Sequence, residues 1–209
     1  MYHIILASGS PRRKEIMETM GIPYQVISSD VKEETEETEP AKMVQALASL
    51  KANAVLPQVK RLAKEYGPSE EQPEYIIIGA DTMVFYKEHV MGKPRNEQDA
   101  ARMLRLLSDD THEVYTGVSL IVLRKDGTEE EWKLAVCTKV VVSPLTEEQI
   151  KDYISTGEPM DKAGAYAIQG RFGIYIREII GDYYNIVGFP IAKIFDTLLE
   201  HGINLKMIS

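Results

Sequence analysis

Residues 4–13 read Ile4-Ile5-Leu6-Ala7-Ser8-Gly9-Ser10-Pro11-Arg12-Arg13 and join an apolar run to the start of a helix. The apolar run is typical of a buried strand, and small residues follow it. Ser10 is a favoured N-cap residue, and Pro11 fits the first helical position, where a missing N–H costs nothing. The sequence therefore predicts a strand, a short turn and a helix here.

Two arginines, Arg12 and Arg13, fall in the first turn of this predicted helix. The N-terminus is the positive end of the helix dipole, and it favours acidic residues. Two guanidinium groups beside free backbone N–H groups are explained if an anion binds among them, and phosphate is the usual one. The alternative is a solvated basic helix start.

The composition indicates a globular protein of one large domain or two small lobes, with 209 residues, 44% hydrophobic and 27% charged. The net charge of −8 argues against a nucleic-acid polymer as partner but not against a small phosphorylated ligand. The single cysteine, Cys137, excludes an internal disulfide framework. Without a membrane-length apolar run or a signal-peptide pattern, we expect a soluble, cytoplasmic protein without membrane partners.

The first half of the chain predicts two further helical pieces and a central strand. Helical spacing runs over residues 40–54, Pro57 should kink or end that helix, and a second piece should cover 59–66. Residues 67–73 have the composition of a flexible loop, which we expect to be longer than the fold needs. The continuous apolar run 75–80 predicts a strand buried on both faces. The run ends at Asp81-Thr82, and residues 83–86 can continue the extended chain.

The second half alternates helices with long strands. Asn96 should cap a helix over 97–107, and strands over 112–124 and 131–142 should flank an Asp126-Gly127 hairpin turn. A capping box at residues 146–149 should open a helix that ends at Gly157. A strand over 174–180 and a helix from residue 190 complete an α/β fold with a mixed sheet.

The polar residues at predicted strand ends and in glycine-rich loops are the candidates for chemistry. The histidines and the cysteine lack zinc-ligand spacing, and no P-loop or nucleophile-elbow motif is present. Basic residues from several segments and ordered carboxylates together suggest a phosphate pocket with Mg²⁺ or Mn²⁺. Asp81 is the strongest candidate, although an aspartate that only caps a turn is the plain alternative. The full set is Ser8, Arg12, Arg13, Lys51, Asp81, Thr82, Lys93, Asp161, Lys162 and Gln169.

Six ordered motifs resemble the Maf family of nucleoside triphosphate pyrophosphatases. They are Ser8-Gly9-Ser10-Pro11-Arg12-Arg13, Gly79-Ala80-Asp81-Thr82, Gly92-Lys93-Pro94, His112-Glu113-Val114-Tyr115-Thr116-Gly117, Gly157-Glu158-Pro159-Met160-Asp161-Lys162-Ala163-Gly164 and Asn185-Ile186-Val187-Gly188-Phe189-Pro190. The resemblance implies one domain over residues 1–209, with a strongly curved mixed sheet, flanking helices and two lobes around a central cleft. It also implies a divalent cation, often a homodimer, and hydrolysis of a nucleoside triphosphate to the monophosphate and pyrophosphate.

The same resemblance implies roles for individual residues. Asp81 would accept the proton of the attacking water, with Lys93 and Lys162 acting beside it on the phosphates. Ser8, Arg13 and Lys51 would also contact phosphate, whereas Arg12, Thr82 and Gln169 would select the base. Glu33 and Asp81 would hold the metal, with Glu34 as an alternative for the position of Glu33.

The segment Ala163-Gly164-Ala165-Tyr166-Ala167-Ile168-Gln169-Gly170 resembles the dTTP/UTP branch of the family. A neutral amide at Gln169 both donates and accepts toward the O4/N3 edge of uracil or thymine, whereas a glutamate, typical of the 7-methyl-GTP branch, only accepts. The alternatives are a 7-methyl-GTP pyrophosphatase, an enzyme for modified pyrimidine nucleotides, and a nucleotide-binding regulator of septum formation without essential turnover.

Overall fold

A computed structural model describes residues 1–28, 30–66, 72–87 and 89–208 of the chain. In those residues, no helix is both long and apolar enough to cross a membrane. Short 3₁₀ helices cover Glu158–Asp161, Ala163–Ala165, Arg171–Tyr175 and Leu205–Met207. The strands and α-helices are β1 (Tyr2–Leu6), α1 (Pro11–Thr19), β2 (Gln25–Val26), α2 (Pro40–Glu65), β3 (Glu74–Tyr86), β4 (His89–Met91), α3 (Glu97–Leu107), β5 (Thr111–Leu123), β6 (Glu129–Val142), α4 (Glu147–Ser155), β7 (Ile176–Ile180), α5 (Tyr183–Val187) and α6 (Ile191–Glu200).

The strands form an open mixed sheet in the order β2-β1-β3-β5-β6-β7, with β4 paired to β3. β1 runs parallel to both β2 and β3, whereas β4 is antiparallel to β3 and β7 is antiparallel to β6. The predicted α/β class with a mixed sheet and flanking helices is therefore confirmed. The strong curvature of the sheet and the central cleft remain predictions.

The chain divides into two compact units. The first comprises Met1–Asp81, Thr116–Val136 and Gly188–Ser209, and the second comprises Thr82–Tyr115 and Cys137–Val187. The expectation of one domain over residues 1–209 remains a prediction.

The core of the first unit forms between α2 and the strands beside it. Ile5 of β1, Ile77 of β3 and Ile121 of β5 are buried in one cluster with Ala52, Val55, Leu56 and Val59 of α2. An apolar helical face and three apolar strand segments thus remove each other from water, which is the main favourable term in folding.

Two glycines allow α2 to approach the sheet at backbone distance. A Cβ atom added at Gly79 of β3 would lie 2.3 Å from the carbonyl oxygen of Ala48, and one at Gly117 of β5 would lie 2.2 Å from that of Val44. No side chain fits at such distances, because ordinary van der Waals contact begins more than an ångström farther out. Both glycines are therefore required by close helix–strand packing rather than by a turn.

One prediction for the first half of the chain is wrong. Pro57 neither ends nor divides α2, which runs unbroken from residue 40 to 65; the burial of Val55, Leu56 and Val59 outweighs one lost backbone hydrogen bond. The strand predicted over 75–80 includes Asp81 and runs on to Tyr86, as the extended continuation over 83–86 predicts. The predicted loop at 67–73 lies mostly outside the described residues, since these leave out 67–71.

The second unit has its own core, made by α3, α4 and the strand segments that belong to it. Met103, Leu104 and Leu107 of α3 are buried with Ile150 and Tyr153 of α4. The predicted helix caps are confirmed: the Asn96 side chain accepts a hydrogen bond from the Asp99 N–H, and the capping box joins Thr146 and Gln149.

Boundaries in the rest of the chain differ by a few residues from the predictions. The apolar pattern of residues 24–28 predicts a short strand, of which only Gln25 and Val26 pair with β1 as β2. β7 begins at Ile176 rather than at residue 174, since a 3₁₀ helix extends to Tyr175. The patterns predict neither α5 nor the 3₁₀ helices, which are too short to display a helical period.

Candidate active site

Asp81, Lys51 and Glu33 form one charged group in the first unit, called the Asp81 cluster here. The Lys51 ammonium nitrogen lies 2.7 Å from Asp81 Oδ1 and 2.9 Å from Glu33 Oε2. The Asp81 side chain is 9% exposed, whereas that of Glu33 is 54% exposed. Glu34 forms an ion pair with Lys32 instead, so of the two predicted alternatives Glu33 is the residue that meets Lys51.

The packing of α2 explains why Lys51 meets Asp81. Gly79 and Asp81 are two residues apart on β3, so they lie on the same face of the strand. At Gly79 that face lies against the backbone of α2 at Ala48 and Ala52, and Lys51 sits between these two alanines in the sequence. The close approach therefore brings the ammonium group onto the carboxylate.

Asp81 also lies beyond the end of β1, the strand that pairs with β3. β1 pairs with β3 as far as Leu6 opposite Ile78, and the Ala7 N–H still donates to the Ile78 carbonyl at 2.9 Å. Asp81 is thus mid-strand in β3 but past the carboxyl end of β1. Open α/β sheets build their sites at this edge.

Arg13 is a buried cation with two identified protein acceptors. Its Nε donates to the Gly188 carbonyl at 2.8 Å, and its Nη1 donates to Ser8 Oγ at 2.9 Å. Burial lowers the pKa of Arg13 to about 10, while Asp81 and Glu33 counter this effect and Arg12 adds to it. The guanidinium therefore remains charged at neutral pH and acts electrostatically on the Asp81 cluster.

The start of α1 agrees with the predicted cap position but not with a side-chain cap. Ser10 is the N-cap and Pro11 the first helical residue, yet the Ser10 hydroxyl makes no capping bond. Instead, the Ser10 N–H donates to Ser8 Oγ at 3.3 Å. The same hydroxyl thus contacts both the helix start and Arg13, which is buried, whereas the neighbouring Arg12 is half-buried.

The donor set of the Asp81 cluster fits a divalent cation of the hard-oxygen type. Asp81 and Glu33 direct one carboxylate oxygen each at the same ammonium nitrogen, so both oxygens face one point. Mg²⁺ is commonly held by one or two carboxylates and completed by water and substrate phosphates. In the described ranges, no group of three or more His, Cys, Asp or Glu side chains could hold a metal by itself.

The remaining predicted residues belong to the second unit: Thr82, Lys93, Asp161, Lys162 and Gln169. The Gly164 N–H donates to the Gly92 carbonyl at 3.1 Å and so joins the loops that carry Lys93 and Lys162. The Lys162 ammonium contacts the Asp161 carboxylate, whereas Lys93 and Gln169 are exposed. Six predicted residues thus belong to the first unit, and these five belong to the second.

The sequence model of the family described as Maf-like protein matches residues 3–201 of the chain. The chain belongs to this family.

Curated relatives match this Maf protein over nearly its whole length. A protein of Lachnoclostridium phytofermentans named dTTP/UTP pyrophosphatase is 50% identical over 98% of this chain and 98% of its own. One of the same name from Agathobacter rectalis is 43% identical over 98% and 100%, and one from Alkaliphilus metalliredigens is 46% identical over 96% and 97%. Among solved structures, a HAM1 protein from Coxiella burnetii is 13% identical, with a TM-score of 0.46, over 96% of this chain and 100% of its own.

Several supporting residues were missed by the sequence patterns. The Gly188 carbonyl that holds Arg13 lies 175 positions away in the chain, and the only signal for it was the motif around residues 185–190. Glu131, in β6, accepts hydrogen bonds from the hydroxyls of Ser49 at 2.5 Å and Ser119 at 2.8 Å. These bonds tie α2, two residues from Lys51, to β5 and β6, and no local pattern marks them.

Proposed function

We propose that this Maf protein hydrolyses dTTP and UTP between the α- and β-phosphates, releasing the nucleoside monophosphate and pyrophosphate. The observation that carries the proposal is the Asp81 cluster. Its buried Asp81 carboxylate forms an ion pair with Lys51 and interacts electrostatically with the buried Arg13 guanidinium. A fixed carboxylate can accept a proton, and fixed cations favour a substrate of high negative charge. The dTTP/UTP pyrophosphatase name of curated relatives at 43–50% identity supports the choice of substrate.

The proposed reaction is an in-line displacement at the α-phosphorus. A water oxygen forms the new bond to phosphorus while its proton passes to an Asp81 carboxylate oxygen. The bond from the α-phosphorus to the oxygen that bridges to the β-phosphate breaks, and its electron pair leaves with pyrophosphate. Arg13 and Lys51 stabilise the charge that gathers on the phosphate oxygens, as cations do in other phosphoryl transfers.

A divalent cation would be held by Glu33 and Asp81. Bound there, Mg²⁺ or Mn²⁺ would neutralise phosphate charge and polarise the phosphoryl oxygens. Lys51 now contacts both of these carboxylates, so its ammonium would be free to turn to phosphate once a cation takes its place. Metal dependence is part of the proposal.

The residues of the second unit take their proposed roles from the resemblance. Lys93 and Lys162 supply positive charge to the phosphates, while Thr82 and Gln169, with Arg12 of the first unit, select the base. The Gln169 side chain is exposed, so a ligand can reach it. A cytoplasmic location and a homodimer complete the proposal.

The test compares Asp81→Asn with a matched control, Asp196→Asn, which makes the same substitution at an exposed position of the first unit. Both variants and the wild type are assayed for pyrophosphate release from dTTP, UTP, CTP, GTP and 7-methyl-GTP with Mg²⁺ or Mn²⁺. We expect Asp81→Asn to lose at least about 100-fold in kcat, the scale of a general base, and Asp196→Asn to match the wild type.

Turnover of Asp81→Asn at the wild-type rate would refute the assignment of the base. Preference for 7-methyl-GTP would move the chain to the other branch of the family. Binding of nucleotides without pyrophosphate release from any of them would favour the regulator of septum formation.

A further inference from the structure

Gln169 lies in a tight turn whose geometry is defined by the backbone. The Gly170 N–H donates to the Ala167 carbonyl at 3.1 Å, so Ile168 and Gln169 are the two central residues of a four-residue turn. Ile168 packs against the core of the second unit, whereas Gln169 is exposed. The turn is thus anchored through one central residue and presents the other to solvent.

One side-chain pair, Tyr153 with Glu158, holds both ends of this turn. The Tyr153 hydroxyl donates to Glu158 Oε1 at 2.8 Å and accepts from the Ala167 N–H at 3.3 Å. Glu158 Oε2 accepts from the Arg171 N–H at 3.1 Å. The residue at the start of the turn and the residue just after its end are therefore fixed by the same two side chains.

Gly170 makes room for this pair. A Cβ atom at residue 170 would lie 2.1 Å from Glu158 Oε1 and 2.4 Å from the carboxyl carbon. The φ angle of Gly170 is −103°, which any residue can adopt, so the glycine is needed for space and not for its backbone conformation. The Glu158 carboxylate therefore packs directly on the turn that carries Gln169.

The protonation state of Tyr153 is also fixed. Burial raises the pKa of Tyr153, and the Glu158 carboxylate raises it further, so the phenol keeps its proton and remains a donor. A polar network that is satisfied at each member orients its neighbours more strictly than apolar packing does. This network holds the backbone at both ends of the turn and so restricts the backbone position from which the exposed Gln169 side chain extends.

We propose that Tyr153 and Glu158 are positioning residues for pyrimidine selection: they hold the turn at residues 167–170 so that the Gln169 amide meets the O4/N3 edge of the base in one orientation. This inference rests on the proposed function. Cytosine presents an amino group at position 4 and an unprotonated N3, so a fixed amide discriminates by hydrogen-bond pattern, whereas a mobile amide turns to suit either base.

Two variants weaken the pair with little change in shape. Tyr153→Phe removes the hydroxyl. In Glu158→Gln, the amide oxygen can face either the Tyr153 hydroxyl or the Arg171 N–H, so one of these donors meets an NH₂ group. The matched controls are Tyr183→Phe and Glu178→Gln at exposed positions of the same unit, and thermal unfolding of all variants reports on folding.

The primary readout is the ratio of kcat/KM for dTTP to that for dCTP. We expect this ratio to fall about tenfold in Tyr153→Phe and Glu158→Gln, through a higher KM for dTTP with kcat within about threefold. Both controls should keep the wild-type ratio. In a Gln169→Ala background, Glu158→Gln should cause no further loss of selectivity, because its effect passes through Gln169.

The inference is overturned if the variants keep the wild-type ratio, or if they lose kcat equally for all nucleotides in both backgrounds, as a purely structural role predicts. Absence of wild-type turnover would instead refute the proposed function. In that event the same variants are compared by calorimetry with non-hydrolysable dUTP and dCTP analogues. A binding preference for dUTP that Glu158→Gln does not reduce, or no preference at all, would overturn the inference independently.

Discussion

Gly79→Ala tests whether the close approach of α2 to β3 builds the active site. The added methyl group would lie 2.3 Å from the Ala48 carbonyl oxygen, 2.8 Å from the Ala52 nitrogen and 2.9 Å from the Ala52 Cβ. These are backbone atoms and a helix-bound Cβ, so no flexible side chain can turn away. To restore ordinary contact, α2 must retreat from the strand by about 1 Å.

The consequence for the site follows from one distance. The contact of 2.7 Å between Lys51 and Asp81 would lengthen to beyond about 3.5 Å, where a hydrogen bond no longer forms. Overpacking of this kind costs about 1–3 kcal/mol of unfolding free energy. We expect the upper end of that range and at least a tenfold loss of pyrophosphate release, because Lys51 and Asp81 are displaced together.

Urea unfolding followed by Trp132 fluorescence measures the first effect, and the pyrophosphate assay measures the second. Gly92→Ala is the control, since a Cβ at Gly92 meets no atom within 4 Å, and its stability should match the wild type. Gly117→Ala should behave like Gly79→Ala in stability, because its Cβ would lie 2.2 Å from the Val44 carbonyl oxygen. A Gly79→Ala protein with wild-type stability and turnover would refute the packing argument.

Two further predictions concern metal binding and pH. Glu33→Gln should raise the Mg²⁺ concentration for half-maximal activity about tenfold. Glu34→Gln should leave it unchanged, because Glu33 contacts Lys51 whereas Glu34 pairs with Lys32. Identical metal titrations of the two variants would remove Glu33 from the metal site. Burial lowers the pKa of His112 to about 4, so between pH 6.5 and 4 the unfolded chain binds a proton that the folded chain does not. Because of His112, the free energy of unfolding should fall by about 2–3 kcal/mol as the pH drops from 7 to 4.5. In His112→Gln, this part of the pH dependence of the urea midpoint should vanish. An unchanged pH dependence in this variant would contradict the role of His112.

The features predicted well from the sequence are those that local residues determine. Asn96 and the capping box at Thr146 mark their helices because each cap is satisfied within three residues. The prediction of a helix end at Pro57 was wrong because the free-energy cost of a proline inside α2 is outweighed by the burial of its neighbours. The sequence also identified which residues are candidates for the site, because their residue types and motifs are local features. It did not predict the contact of Lys51 with Asp81, because this contact depends on two glycines that let the backbone of α2 approach the sheet.

The arginine pair at the start of α1 illustrates how the structure refines an electrostatic argument. An anion was inferred because two cations stand where the helix dipole disfavours them, yet Arg13 is largely compensated within the protein by the Gly188 carbonyl, Ser8 and the charges of Asp81 and Glu33. Its planar, multidentate guanidinium suits that fixed position, which a lysine could not fill with the same two bonds. Arg12 is the more exposed member of the pair. The buried Arg13 therefore places a fixed positive charge near Asp81 and Glu33, whereas we expect the half-buried Arg12 to be the member of the pair that moves with a ligand.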